Sequence, residues 1–175
     1  MNQKLITIIG VLTFAAAMLA AVILHNFTAP PVDEPQLSEV VQVPNITITD
    51  AHGSYVELSS FFGTPIVLNF WTTWCRFCVI ESPHFEELYA THGDVLQIVK
   101  LNTREARTTV DRFMEANGYT FPVFFDYDGS AANTFRVRGV PITIFINAQG
   151  EEVWRVSGAV TAQSMATGVG LITQD

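Results

Sequence analysis

The chain has 175 residues and only two cysteines, three apart in Trp74-Cys75-Arg76-Phe77-Cys78. Residues 66–71 ahead of them are an apolar run broken only by Asn69, the pattern of a buried strand. Residues 75–92 have the length and spacing of a helix. The pair therefore opens a helix, where first-turn N–H groups lack partners and the dipole is positive, so a thiolate is stabilised. Arg76 adds a positive charge beside Cys75 that favours the same form. Cys75 is expected to be the exposed member, which attacks a disulfide and forms a mixed disulfide. Cys78, one turn on, resolves it. A purely structural cross-link would close a loop too short to restrict the unfolded chain much. A metal would need further ligands, and His52, His84 and His92 stand at no ligand spacing from the pair.

Cys78, Glu81, Phe85 and Leu88 are spaced three, four and three, and so share one helix face. An acid on an otherwise apolar stripe is expected to be partly buried, with its carboxyl pushed above the usual range. It could then pass protons to Cys78. His84 and His92 read as helix-surface residues. Trp74 is expected to cap the site as a flat apolar contact, and Trp71 to belong to the core.

The elements that must hold this pair read as follows. Residues 46–49 alternate as a half-buried strand, and His52-Gly53 turns into a partner at 55–58. Strands at 66–71 and 95–101 flank the cysteine helix, which makes a parallel strand–helix–strand unit. A second helix spans 105–117 and stops at Gly118. A short strand at 121–125 and a brief helix ending at Phe135 follow. A hairpin at 142–146 and 151–156, then a closing helix at 161–172, complete the domain. The fold class is α/β with a mixed sheet flanked by helices.

Composition bounds the rest. Hydrophobic residues make up 49% of the chain, enough for a core, while charged residues are only 15%. The net charge of −8 argues against sequence-independent nucleic-acid binding, which needs a basic face. Residues 1–24 read as a transmembrane signal-anchor, because residues 5–24 are nearly all apolar and a 20-residue helix spans about 30 Å. Lys4 precedes the run and no basic residue follows until Arg76, which puts the N-terminus in the cytoplasm and the remainder outside. A cleaved signal peptide is the competing reading, but the small residues Ala15, Ala16, Ala17, Ala20 and Ala21 lie inside the run rather than after it. Residues 25–44 hold four of the eight prolines and no basic residue, a semi-rigid acidic linker. Residues 45–175 form one domain.

The segment from Phe70 to Cys78 resembles the active-site signature of the thioredoxin superfamily. More narrowly, the chain resembles the membrane-anchored, extracytoplasmic proteins of the TlpA/ResA type. Pro83 is similar to that family's helix-kinking proline, and Gly139-Val140-Pro141-Ile142 to its cis-proline loop, 66 residues after Cys75. The span 105–125 resembles the αβ insertion of this branch, and the strands before residue 66 its N-terminal hairpin. The resemblance implies a cis Val140–Pro141 bond packed against Cys75 and Cys78, with the Val140 backbone pairing with a bound substrate strand. It supports the proton-relay role for Glu81, since ResA-like members carry an acid there. Asn69 departs from the buried aspartate of thioredoxin itself. Arg76-Phe77 departs from the Gly-Pro or Glu-Pro of reducing relatives and favours a more oxidising couple.

The resemblance implies reduction of disulfides in exported proteins, apocytochrome c among them. Electrons would arrive from a membrane thiol carrier of the CcdA/DsbD type. No cofactor is implied, because the cysteine pair carries both electrons. Three alternatives stand beside this. One is an oxidant that inserts disulfides into secreted proteins. Another is a reductase for a different client, such as a methionine sulfoxide reductase or a peroxidase. The third is a metal-binding module without turnover. A peroxiredoxin fits less well: Thr72 lies three before Cys75, but Leu68 stands where that motif wants proline.

Overall fold

The computed structural model describes residues 41–174. The apolar segment 5–24, most of the acidic linker and Asp175 lie outside the described residues. Among the described residues no helix is long and apolar enough to cross a membrane.

Eight strands form one mixed sheet: β1 (Val41–Gln42), β2 (Thr47–Thr49), β3 (Tyr55–Glu57), β4 (Ile66–Trp71), β5 (Gln97–Thr103), β6 (Val123–Asp126), β7 (Ile142–Ile146) and β8 (Glu151–Ser157). Their order across the sheet is β1-β8-β7-β4-β5-β6-β2-β3. β4, β5 and β6 run parallel, and the remaining pairings are antiparallel. The helices are α1 (Arg76–His92), α2 (Arg107–Asn117), α3 (Ser130–Thr134) and α4 (Ala162–Ile172). This is the thioredoxin-like α/β arrangement the resemblance implied.

Most elements stand where the pattern of the sequence put them, and the departures have local causes. Val41 and Gln42, in the stretch whose composition reads as linker, pair with Glu152 and Glu151 as an edge strand. α2 begins at Arg107 rather than 105, because the Glu105 carboxylate reaches across to Thr73 instead of joining the helix. β6 begins at Val123, after Pro122, which has no N–H to give a ladder. Gly118 ends α2 with φ +67°, a backbone that glycine adopts without a Cβ penalty.

The central strand β4 is buried on both faces, so its alternation sorts residues between two cores. Leu68 and Phe70 join Val99, Leu101 and Ile144 on one face. Val67 and Trp71 join Ile98, Phe85, Phe145 and Met165 on the face beneath α1 and α4. Asn69 lies between Val67 and Trp71, and so faces the helices. In register it stands opposite Lys100 of β5 on one side and Thr143 of β7 on the other. Three polar residues thus form a row across three central strands, all at 0% exposure.

Candidate active site

Cys75 is the N-cap of α1: the Cys78 N–H donates to its Sγ at 3.2 Å. The helix thus begins with a backbone donor aimed at the Cys75 sulfur. Both cysteines are free thiols in this structure. The expectation that Cys75 is exposed needs correction. It is only 7% exposed, against 0% for Cys78, because its thiol lies against the cis-proline loop and donates to the Val140 carbonyl at 3.5 Å. It is still the outer of the pair. The Val140–Pro141 peptide bond is cis.

Trp74 is exposed and, with Val140, lines a cleft beside Cys75, while Trp71 is fully buried. Phe77 and Ile80 are also exposed on α1, and so extend an apolar rim that the sequence reading did not single out. The loop ahead of Cys75 is clamped by Glu105. Its carboxylate accepts from the Thr73 backbone N–H at 2.7 Å, the Thr73 hydroxyl at 2.6 Å and the Asn102 amide at 2.7 Å.

Beneath the pair, Cys78, Glu81, Phe85 and Leu88 are all buried on one face of α1, as their spacing required. Burial pushes the Cys78 thiol up, and its hydrogen bond to Cys75 and the Glu81 charge push the same way. Glu81 has no exposed surface. Its carboxylate accepts from the Asn69 amide and the Val160 backbone N–H, both at 2.9 Å. Burial raises its carboxyl above the usual range, and the Lys100 charge only partly opposes this.

Lys100 is the site residue the sequence reading missed. Its Nζ donates to Asn69 Oδ1 at 2.8 Å and stands 4.0 Å from Glu81 Oε1. It also lies over the rings of Phe85 at 4.0 Å and Trp71 at 4.9 Å. Desolvation brings the ammonium down to about 8, against the pull of Glu81 and the two cysteines. The only signal in the sequence was a lysine inside an apolar strand, at the phase that faces α1. Asn69 bridges the two charges, its amide to Glu81 and its carbonyl to Lys100.

His84 is half-buried and His92 exposed, and neither meets the cysteines. Among the described residues no three His, Cys, Asp or Glu side chains gather as a metal site. The arrangement is an outer thiol on a helix N-terminus, an inner thiol that burial holds protonated, and a buried carboxyl below them. It is suited to exchange between a dithiol and a disulfide.

Comparison with known proteins gives the same chemistry. Residues 41–153 match the AhpC/TSA family. The chain is 35% identical over 123 residues to the thiol-disulfide oxidoreductase ResA of Halalkalibacterium halodurans, covering 70% of each. It is 29% identical over 165 residues to ResA of Geobacillus kaustophilus, covering 94% of this chain and 93% of that one. The crystal structure of StoA from Bacillus subtilis superposes with a TM-score of 0.63 at 25% identity, covering 75% of this chain and 99% of that one. With the cysteine pair at the helix start and the cis-proline against it, the chain belongs to the AhpC/TSA family as a thioredoxin-like thiol-disulfide oxidoreductase of the ResA type.

Proposed function

We propose that this protein is a membrane-anchored, extracytoplasmic reductase of disulfides in exported proteins, of the cytochrome c maturation type. Residues 1–24 would anchor it, and the acidic linker ahead of β1 would hold the domain off the membrane. The apolar run 5–24 and the charge asymmetry around it support that placement. The observation that carries the reading is the asymmetry of the pair: Cys75 caps the helix N-terminus and lies against Val140 of the cleft wall, while Cys78 is sealed beneath it.

In the reaction, the Cys75 thiolate attacks one sulfur of the client disulfide and releases the other as a thiolate. The client is held as an extended strand at Val140 and Pro141, with Trp74 covering the exchanging sulfurs. Cys78 loses its proton to Glu81 and attacks the Cys75 sulfur. The Cys75–Cys78 disulfide forms, the second client thiolate leaves, and two electrons have passed to the client. A dithiol carrier in the membrane, of the CcdA/DsbD type, returns them.

The raised Glu81 carboxyl gives this a pH signature. Only its ionised form accepts the Cys78 proton, so resolution speeds up as pH rises through the Glu81 titration. The expected result for Glu81→Gln is a loss of that limb and a roughly 10²-fold slower resolution near neutral pH. Single-turnover decay of a mixed disulfide reads this directly, and an unaltered pH profile would return Glu81 to a structural role.

The direction of electron flow is tested by the reduction potential of the Cys75–Cys78 couple, measured on the full chain against a thiol buffer. A value below about −230 mV fits a reductase fed by a membrane carrier. A value near about −120 mV would replace this reading with the disulfide-inserting oxidant that Arg76 and Phe77 favour.

A further inference from the structure

The geometry points to a client specificity: the protein selects disulfides flanked by acidic residues, through arginines gathered around the cis-proline loop. This rests on the exchange reading above. The chain is acidic, with a net charge of −8. Yet Arg104 and Arg138 line the cleft that holds Trp74 and Val140, and Arg136 and Arg138 line a second cleft on the Pro141 side. No acidic side chain lines either cleft. Arg76, between the cysteines, adds a fourth exposed cation.

These cations are free to take a partner. Among the described residues the ion pairs are Lys100–Glu81, Arg107–Asp111 and Arg155–Glu152, and none involves the four. The nearest acids in sequence are already engaged. Glu105 holds Thr73 and Asn102, Asp126 accepts from the Ala131 and Ala132 N–H groups, and Asp128 accepts from the Ser130 N–H.

Three further observations bear on the same place. Among the described residues only Arg104 and Arg136 are non-glycines in left-handed backbone, at φ +59° and +55°. Glycine or asparagine would sit there with less strain, so a long cationic side chain is kept against local preference. Gly129, with no Cβ, leaves the space the Arg104 guanidinium occupies: a Cβ there would collide with its Nε. The Thr72 hydroxyl, on the wall of the first cleft, is buried and lacks a hydrogen-bond partner. An extended client strand running past Val140 would lay its flanking side chains over both clefts, where carboxylates meet unpaired guanidinium groups.

The test uses the full chain in detergent micelles and two peptides with one disulfide each, identical except for glutamate or lysine beside the cysteines. The expected result is kcat/KM about tenfold or more in favour of the glutamate peptide at low ionic strength, shrinking as salt is added. Arg104→Asn combined with Arg138→Gln, which leaves Arg76 and Arg136 in place, should cut that ratio several-fold; asparagine tolerates the left-handed backbone. Equal use of the two peptides by the unmodified protein, or a ratio that survives the double substitution, overturns the inference. Hydroxyethyl disulfide, which is neutral, is followed in parallel, and failure to reduce it would sink the exchange reading instead. In that event fluorescence anisotropy with serine-for-cysteine versions of both peptides still decides the charge preference. Tighter binding of the glutamate peptide upholds it, and equal binding ends it.

Discussion

Cys75→Ser is expected to lower thiol–disulfide exchange by at least about 10³-fold, to the level of uncatalysed exchange. A serine hydroxyl titrates far above neutral pH and cannot form the mixed disulfide, and no other cysteine can substitute, because Cys78 is sealed at 0% exposure. The reciprocal variant sharpens the expectation. Cys78→Ser leaves the attacking sulfur in place but removes the one that resolves the adduct, so client–protein mixed disulfides should accumulate through Cys75. Non-reducing electrophoresis with and without a thiol wash reads both outcomes. Retained turnover in Cys75→Ser, or no covalent adduct in Cys78→Ser, would overturn the assignment of roles.

Lys100→Met is expected to cost about 3–5 kcal/mol of stability at neutral pH, although residue 100 touches no client. The loss has two sources. Glu81 would keep a buried carboxylate without its ion-pair partner, and Asn69 Oδ1 would lose the Lys100 donor. The sign of the pH dependence follows from burial. Glu81 in the folded protein already titrates above the ordinary carboxylate range. Between the unfolded and folded titration points the folded state binds more protons, so stability falls as pH rises. Removing Lys100 takes away the charge that opposes this shift. The deficit should therefore be small in acid, where Glu81 is protonated in both states, and grow toward neutrality. Lys100 contributes the opposite slope at alkaline pH. Its folded titration near 8 lies below the unfolded one, so stability rises with pH above about 8. Denaturant unfolding across pH measures both. Adding Glu81→Gln to Lys100→Met should recover much of the loss, since the uncompensated charge is then gone. A single-variant cost below about 1 kcal/mol at pH 7 would mean the ion pair is not a structural element.

The cis-proline loop was implied by the family resemblance; the cysteine pair, its place at a helix start and the buried acid one turn further were legible along the chain. Each is a local pattern. Three, four and three residues set Cys78, Glu81, Phe85 and Leu88 on one helix face whatever that face packs against. The strands were legible for the same reason, to within a few residues at their ends.

What the chain alone left open is which elements become neighbours, and in what register. Lys100 in an apolar strand gives no sign of its partner. Only the parallel pairing of β4 with β5 sets it beside Asn69, and only the packing of α1 on that face brings Glu81 down to both. The clamp of Glu105 on Thr73 spans 32 residues, and the Glu81 bond to Val160 spans 79. Arg104 lies far from Arg138 in the sequence, yet both line the cleft that holds Trp74 and Val140. Periodicity specifies which side of an element is buried, because that follows from backbone geometry at fixed spacing. It does not specify the strand order that turns isolated charges into a pair or a rim. Here the sequence by itself determined the redox chemistry and the elements that carry it. The tertiary structure alone decided the buried Glu81–Asn69–Lys100 network beneath the thiols and the cationic mouth above them.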